Sequence, residues 1–82
     1  MTRLAKLYRK MLDKRGLTFA EFCRLLEAFG YVQVRTRGSH LAFRNAAIGD
    51  TRIVQPRGKD AKPYQVEQFL DIIEAYGLTL SD

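Results

Sequence analysis

Two hydrophobic periods divide the chain. Leu4, Leu7, Tyr8, Met11 and Leu12 recur at i, i+3, i+4, i+7 and i+8, which is one face of a helix that Gly16 is placed to end. The opposite face is rich in Arg and Lys. Thr18-Phe19-Ala20-Glu21 is a capping-box pattern, in which the threonine hydroxyl and the glutamate satisfy each other's backbone donors, and Leu17 and Phe22 stand at the staple positions. The helix that opens there carries Phe22, Leu25, Leu26 and Phe29 on its apolar face. Cys23 flanks that face as a small buried thiol, and Gly30 supplies a left-handed cap.

After Gly30 the period falls to two. Val32 and Val34 alternate with Tyr31, Gln33, Arg35 and Arg37, and Leu41 and Phe43 alternate with His40, Ala42 and Arg44. These are two strands, with Gly38-Ser39 between them at hairpin-turn length. A third strand is expected over 51–55 with Ile53 inward, after a loop over 45–50, and Pro56-Arg57-Gly58 closes it. Pro63 suits the first turn of a last helix, whose stripe of Val66, Phe69, Leu70 and Ile73 ends at Gly77. The predicted fold is α+β in one domain over 1–82: a three-stranded antiparallel sheet with helices packed on one face, in the order α-α-β-β-β-α.

One covered face fixes which parity of each strand is buried. The expectation is that Val32, Val34, Leu41, Phe43 and Ile53 meet Phe22, Leu26, Phe69 and Ile73. Arg35, Arg37, His40, Arg44 and Arg52 then share the open face, beside a glycine that lets another molecule come close.

Composition narrows the chemistry. With 46% hydrophobic and 28% charged residues the chain is ordinary globular protein rather than a disordered tail. A sole cysteine leaves no intrachain disulfide and no cysteine metal cluster, and one histidine beside it cannot make a zinc site. The basic N-terminal stretch is interrupted by charges too often for a signal peptide or a membrane span. A cytoplasmic protein without cofactor or metal is expected. The net charge of +5 is segregated: residues 63–82 carry acids and no cation, whereas 1–17 and 35–62 are strongly basic. Concentrated cations are what a polyphosphate partner selects, since each contacted phosphate releases counterions.

His40 is the only histidine. Among arginines it suits a phosphodiester site, where guanidinium groups hold the phosphate and the imidazole moves a proton. The 2′-hydroxyl of RNA is the natural nucleophile, needing neither metal nor activated water. Ser39 is next to His40, and adjacent strand residues point to opposite faces, so it reads as a turn residue or a hydroxyl that orients phosphate. Gly58-Lys59 lacks the spaced upstream glycine and following Ser/Thr of a P-loop. Lys59 and Lys62, on the loop before the last helix, are further candidate phosphate contacts.

Three features in order resemble the HicA (YcfA-like) toxin family: LLEAFGY ending a helix, VRTRGSH on the first hairpin, and VQPRGKDAKPYQVEQFLDIIEAYGL leading into the last helix. The resemblance covers about residues 18–78. Residues 1–16 are similar to an N-terminal extension helix seen in one subgroup, before a core over 17–78. It implies a double-stranded-RNA-binding-like fold, metal-independent cleavage of messenger RNA, and a HicB-type antitoxin partner. Operator DNA binding through the toxin–antitoxin complex is implied as well. The family's catalytic histidine maps to His40, with Gly38 and Ser39 completing its motif. Many relatives have a second histidine directly after the first and another in the loop after the second strand, where this chain has Leu41 and Asn45. A mechanism that needs a second imidazole as general acid is therefore unavailable within this chain, and a lysine, an arginine-bound water or a second subunit would have to serve. Two other readings of the residues stand beside this one: a non-catalytic RNA-binding module on the same basic face, and a protein-interaction domain using the acidic last helix with Glu67, Asp71 and Glu74.

Overall fold

The structure, a computed structural model, describes residues 2–80; Met1, Ser81 and Asp82 lie outside the described residues. Helix α1 spans Arg3–Leu12 and α2 spans Phe19–Ala28. Strands β1 (Val32–Arg37), β2 (His40–Asn45) and β3 (Asp50–Val54) follow, then a small hairpin of β4 (Pro56–Arg57) and β5 (Asp60–Ala61), and finally α3 (Pro63–Tyr76). The three-stranded sheet is antiparallel in the order β1-β2-β3. The α+β class and the helix, helix, sheet, helix order are therefore as the hydrophobic pattern predicts.

Local signals account for most of the boundaries. Thr18 and Glu21 form the reciprocal capping box: the Glu21 amide donates to Thr18 Oγ1 at 3.1 Å and the Thr18 amide to Glu21 Oε1 at 2.9 Å. That backbone bond, helped by Lys10, holds the Glu21 carboxyl below its ordinary pKa. The staple residues Leu17 and Phe22 are both buried. Gly77 caps α3 in the left-handed region, with φ 61°. Helix α1 departs from expectation, because it stops at Leu12 rather than at Gly16. Lys14 takes the left-handed conformation instead, the one non-glycine residue to do so among the described residues.

Phe69 of α3 is the centre of the core. Its ring meets Phe22, Phe29 and Tyr31 edge-on at centroid distances of 5.9, 5.5 and 5.7 Å, and Phe29 in turn meets Tyr8 of α1 at 5.3 Å. Such ring contacts are worth about 0.5–1.5 kcal/mol each beyond the area they bury. Phe43 and Val54 close this core from the sheet, and Met11, Leu25, Leu26 and Ile73 from the helices. Cys23 is half-buried beside it, and burial foremost, then Glu27, pushes its thiol up to about 11.

Parity in the sheet differs from the expectation in two places. Val32, Val34 and Ile53 are 63%, 54% and 61% exposed, whereas Tyr31, which the alternation placed on the polar side, is buried. The cause in β1 is a bulge between Gln33 and Arg35, which shifts the register so that Val32 pairs with Arg44 while Arg35 pairs with Ala42. In β3 the register pairs Leu41 with Val54, Phe43 with Arg52 and Asn45 with Asp50, so Val54 is the inward residue and Ile53 the outward one. Arg52 consequently lies on the helix-covered face. Its Nη2 donates to Asp50 Oδ1 at 3.0 Å and its Nε sits 3.0 Å from Asp50 Oδ2, and Tyr31 donates its hydroxyl to the same carboxylate at 2.7 Å. Burial, and then Asp50, push the Tyr31 phenol well above its ordinary value.

The β4–β5 hairpin was expected as a loop. Two residues per strand give no periodicity to read, yet the unit is well tied down. Thr18 bridges Asp60, the Phe19 amide donates to the Lys59 carbonyl at 2.8 Å, and the Ala61 amide donates to the Leu17 carbonyl at 3.0 Å. It thus docks on the start of α2 and delivers the chain to Lys62, the N-cap position of α3.

Candidate active site

The β1–β2 turn sets the site. Arg37 pairs with His40 across it, leaving Gly38 and Ser39 as a two-residue loop in which Gly38 has φ 60°. Positive φ at the first loop residue only is the pattern of a type II′ hairpin turn, which needs glycine there. A Cβ at Gly38 would meet nothing within 4 Å, so the turn is open on that side.

Partners in an antiparallel register share a face. Arg37 with His40, and Arg35 with Ala42 and Ile53, therefore stand together on the uncovered side of the sheet. With Thr51 they line a shallow concavity of about 260 Å³. Ala42 forms its floor and is buried although it faces away from the helices, because its small side chain lies between the larger ones of the neighbouring strands. His40 is exposed at the rim, and among the described residues its side chain has neither a hydrogen bond nor an ion pair. The imidazole is thus free of side-chain partners, in a concavity that Arg35 and Arg37 also line.

The other predicted contacts divide. Arg44 is on the same face, bonded through Nη1 to Thr51 Oγ1 at 3.0 Å, but lies four residues along β2 from His40, roughly 13 Å at strand rise. Arg52 does not join the face, being committed to Asp50 on the other side. Lys59 sits at the exposed turn of the β4–β5 hairpin, outside the concavity.

Lys62 is linked to the histidine turn by a residue the sequence reading passed over, Gln55. Gln55 Nε2 donates to Ser39 Oγ at 3.2 Å, its Oε1 accepts from Lys62 Nζ at 3.0 Å, and its amide donates to Gln65 Oε1 at 3.1 Å. The signal that could have found it is the register: the ladder ends at the Leu41–Val54 pair, and Gln55 is the next residue after Val54 as His40 is the one before Leu41. Ser39 is accordingly part of a polar bridge between the turn and the start of α3.

Asn45 is buried and structural. Its Nδ2 donates to the Phe29 carbonyl at 3.1 Å and its Oδ1 accepts from the Ala47 amide at 3.0 Å. On the acidic helix, Glu67 is paired with Lys14 at 3.0 Å. Among the described residues no three His, Cys, Asp or Glu side chains converge as metal ligands, and no helix is long and apolar enough to cross a membrane.

The model of the HicA toxin of bacterial toxin–antitoxin systems matches residues 19–75, which contain the capped helix, the whole sheet, the second hairpin and most of α3. No curated protein and no solved structure matches the chain.

Proposed function

The chain belongs to the HicA toxin family of bacterial toxin–antitoxin systems, and from that premise we propose that it is a metal-independent endoribonuclease acting on messenger RNA. The observation that carries this reading is the grouping of His40 with Arg35 and Arg37 around one concavity on the uncovered sheet face. His40 takes the proton of the 2′-hydroxyl as that oxygen attacks the adjacent phosphorus. Arg35 and Arg37 hold the phosphate and stabilise the charge that builds on it. The products are a 2′,3′-cyclic phosphate and a 5′-hydroxyl.

Gly38 keeps the turn open for the approaching backbone, and Ser39 orients the site through Gln55. Arg44, further along the same face, meets a neighbouring phosphate, while Lys59 extends the basic surface on the second hairpin. Cleavage of messengers in the cytoplasm stops translation and growth. A HicB-type antitoxin relieves this by covering the same face, and the pair together binds operator DNA.

The test is incubation of the purified chain with RNA, with and without a chelator, beside His40→Ala. The expected outcome is chelator-insensitive cleavage that falls by a factor of about 10²–10⁴ in the alanine variant, the usual worth of a general acid or base. Salt-sensitive RNA binding with no turnover, indifferent to His40→Ala, would instead identify a non-catalytic RNA-binding module.

A further inference from the structure

A single histidine leaves half of the proton traffic unassigned. When O2′ attacks, the O2′–P bond forms, the P–O5′ bond breaks, and the departing 5′-oxygen must gain a proton or an equivalent positive charge. We propose that Lys62, tied through Gln55 to Ser39 of the histidine turn, is the group that serves the 5′-oxygen. This rests on the ribonuclease reading of the site.

Three observations converge on Lys62. Gln55 directly follows Val54, whose ladder partner Leu41 directly follows His40, so Gln55 leaves the sheet at the end where His40 begins β2. The Lys62 ammonium is 3.0 Å from the side-chain oxygen of that same Gln55. An ammonium has three protons to donate, and Gln55 accepts one, so the others remain for a ligand. Gln55 is itself fixed from both sides, by Ser39 at the histidine turn and by Gln65 on the first turn of α3. The glutamine is therefore a positioning residue: it binds the lysine to the catalytic turn across the junction between β3 and α3.

The alternatives within the chain are worse placed. Arg52 is engaged with Asp50 on the opposite face of the sheet. Arg35 and Arg37 are guanidinium groups, which do not release a proton in proteins. Leu41 and Asn45 provide no imidazole.

The step balances within the site. His40 receives the 2′-hydroxyl proton, the P–O5′ electron pair stays on O5′, and a Lys62 proton moves to that oxygen. An alkoxide is a far stronger base than an amine, so the transfer is downhill once the bond has loosened. Water then returns a proton to Lys62 and accepts one from His40.

The experiment compares two synthetic RNA oligonucleotides, one with an ordinary linkage and one with sulfur in place of the bridging 5′-oxygen at a single site. A thiolate leaves without a proton. Lys62→Met is expected to cut the ordinary linkage at least about 100-fold more slowly, the low end for general acid–base loss, and the sulfur linkage at close to the parent rate. Gln55→Met is expected to show a smaller defect in kcat, with KM little changed, that the sulfur linkage also rescues. Circular dichroism establishes that each variant is folded; should Lys62→Met fail, Lys62→Gln takes its place. Equal defects on both linkages, or a Lys62 variant within two-fold of the parent on ordinary RNA, overturn the assignment. His40→Ala must be slow on both linkages. If it is not, the ribonuclease reading itself fails, whatever Lys62 does, and a parent chain that cuts neither oligonucleotide overturns both.

Discussion

Tyr31 and Asp50 face each other across the covered side of the sheet, the phenol donating to the carboxylate at 2.7 Å with Arg52 on the carboxylate's other oxygen. Tyr31 is buried and packs edge-on to Phe69, so its ring and its hydroxyl are both committed. Tyr31→Phe keeps the ring but removes one donor from Asp50, and is expected to cost about 1–2 kcal/mol in chemical denaturation. The folded phenol titrates above its unfolded value. Its contribution is therefore complete below about pH 10, the unfolded phenol's pKa, and is lost as pH rises beyond that. Tyr31→Phe should accordingly flatten the alkaline limb of a stability curve, and an unchanged limb would remove Tyr31 as its cause.

Ile53 and Val54 are sequence neighbours with opposite surroundings, one 61% and the other 2% exposed. Val54→Ala is expected to cost at least about 1 kcal/mol through the cavity it leaves, and Ile53→Ala less than about 0.5 kcal/mol. The reverse ranking in urea denaturation would mean the strand is out of register by one residue.

That pair also marks how far the fold was legible. The capping box, the Gly77 cap, the sheet order and the class all rest on local signals: a side chain that satisfies a nearby amide, a glycine that takes positive φ, a change of period. These are written in adjacent residues. Alternation in β1 was misread because the bulge at Gln33–Arg35 adds a residue without changing the apolar pattern. Tyr31 could be inward only because Asp50, 19 positions later in the sequence and itself paired with Arg52, accepts its hydroxyl proton. The β2–β3 register, which sets Arg52 opposite Phe43, separated Arg52 from the site, whereas Arg35, Arg37 and His40 lie on the turn side of the bulge, so the histidine and these two arginines are readable from the hairpin alone. Gln55 was not, since its importance is a matter of what it bonds on other elements.

Gly30 and Asn45 are coupled by space. Gly30 has φ 96°, and a Cβ there would stand 3.3 Å from Asn45 Nδ2. Gly30→Ala therefore meets both backbone strain and the side chain that caps the Phe29 carbonyl. It is expected to lower stability by more than about 1 kcal/mol, and Asn45→Ala by about 1–3 kcal/mol through the unsatisfied carbonyl. Because they disturb one bond, the double variant should lose less than the sum; full additivity in thermal unfolding would deny the coupling.

Thr18 and Glu21 make the start of α2 sensitive to acid. Thr18→Ala removes the hydroxyl acceptor and is expected to cost about 1 kcal/mol. The Glu21 carboxyl has a folded pKa below its unfolded one. Its contribution is thus present in full above the unfolded value of about 4.3, and is lost as pH falls through the folded pKa. Glu21→Gln should narrow the stability difference between pH 7 and pH 3. The carboxylate is partly exposed and paired with Lys10 at 3.1 Å, so part of the effect should vanish in high salt. A difference between pH 7 and pH 3 that Glu21→Gln leaves intact would put the acid sensitivity elsewhere.

The four arginines first placed on one face separate in the structure, and RNA binding can tell them apart. In a His40→Ala background, which keeps RNA intact, the logarithm of the affinity falls with the logarithm of salt by about 0.7 for each phosphate neutralised on a single strand. Arg35→Ala and Arg37→Ala should each weaken binding across sequences and reduce that slope by roughly one contact. Arg44→Ala should do so only with oligonucleotides long enough to run the roughly 13 Å along β2 from the histidine. Arg52→Ala should leave the slope as it was and lower the melting temperature instead, because it strips Asp50 of its ion pair beneath the sheet. A slope that drops as much for Arg52→Ala as for Arg37→Ala would place RNA on the wrong side of the sheet for His40 to act on it.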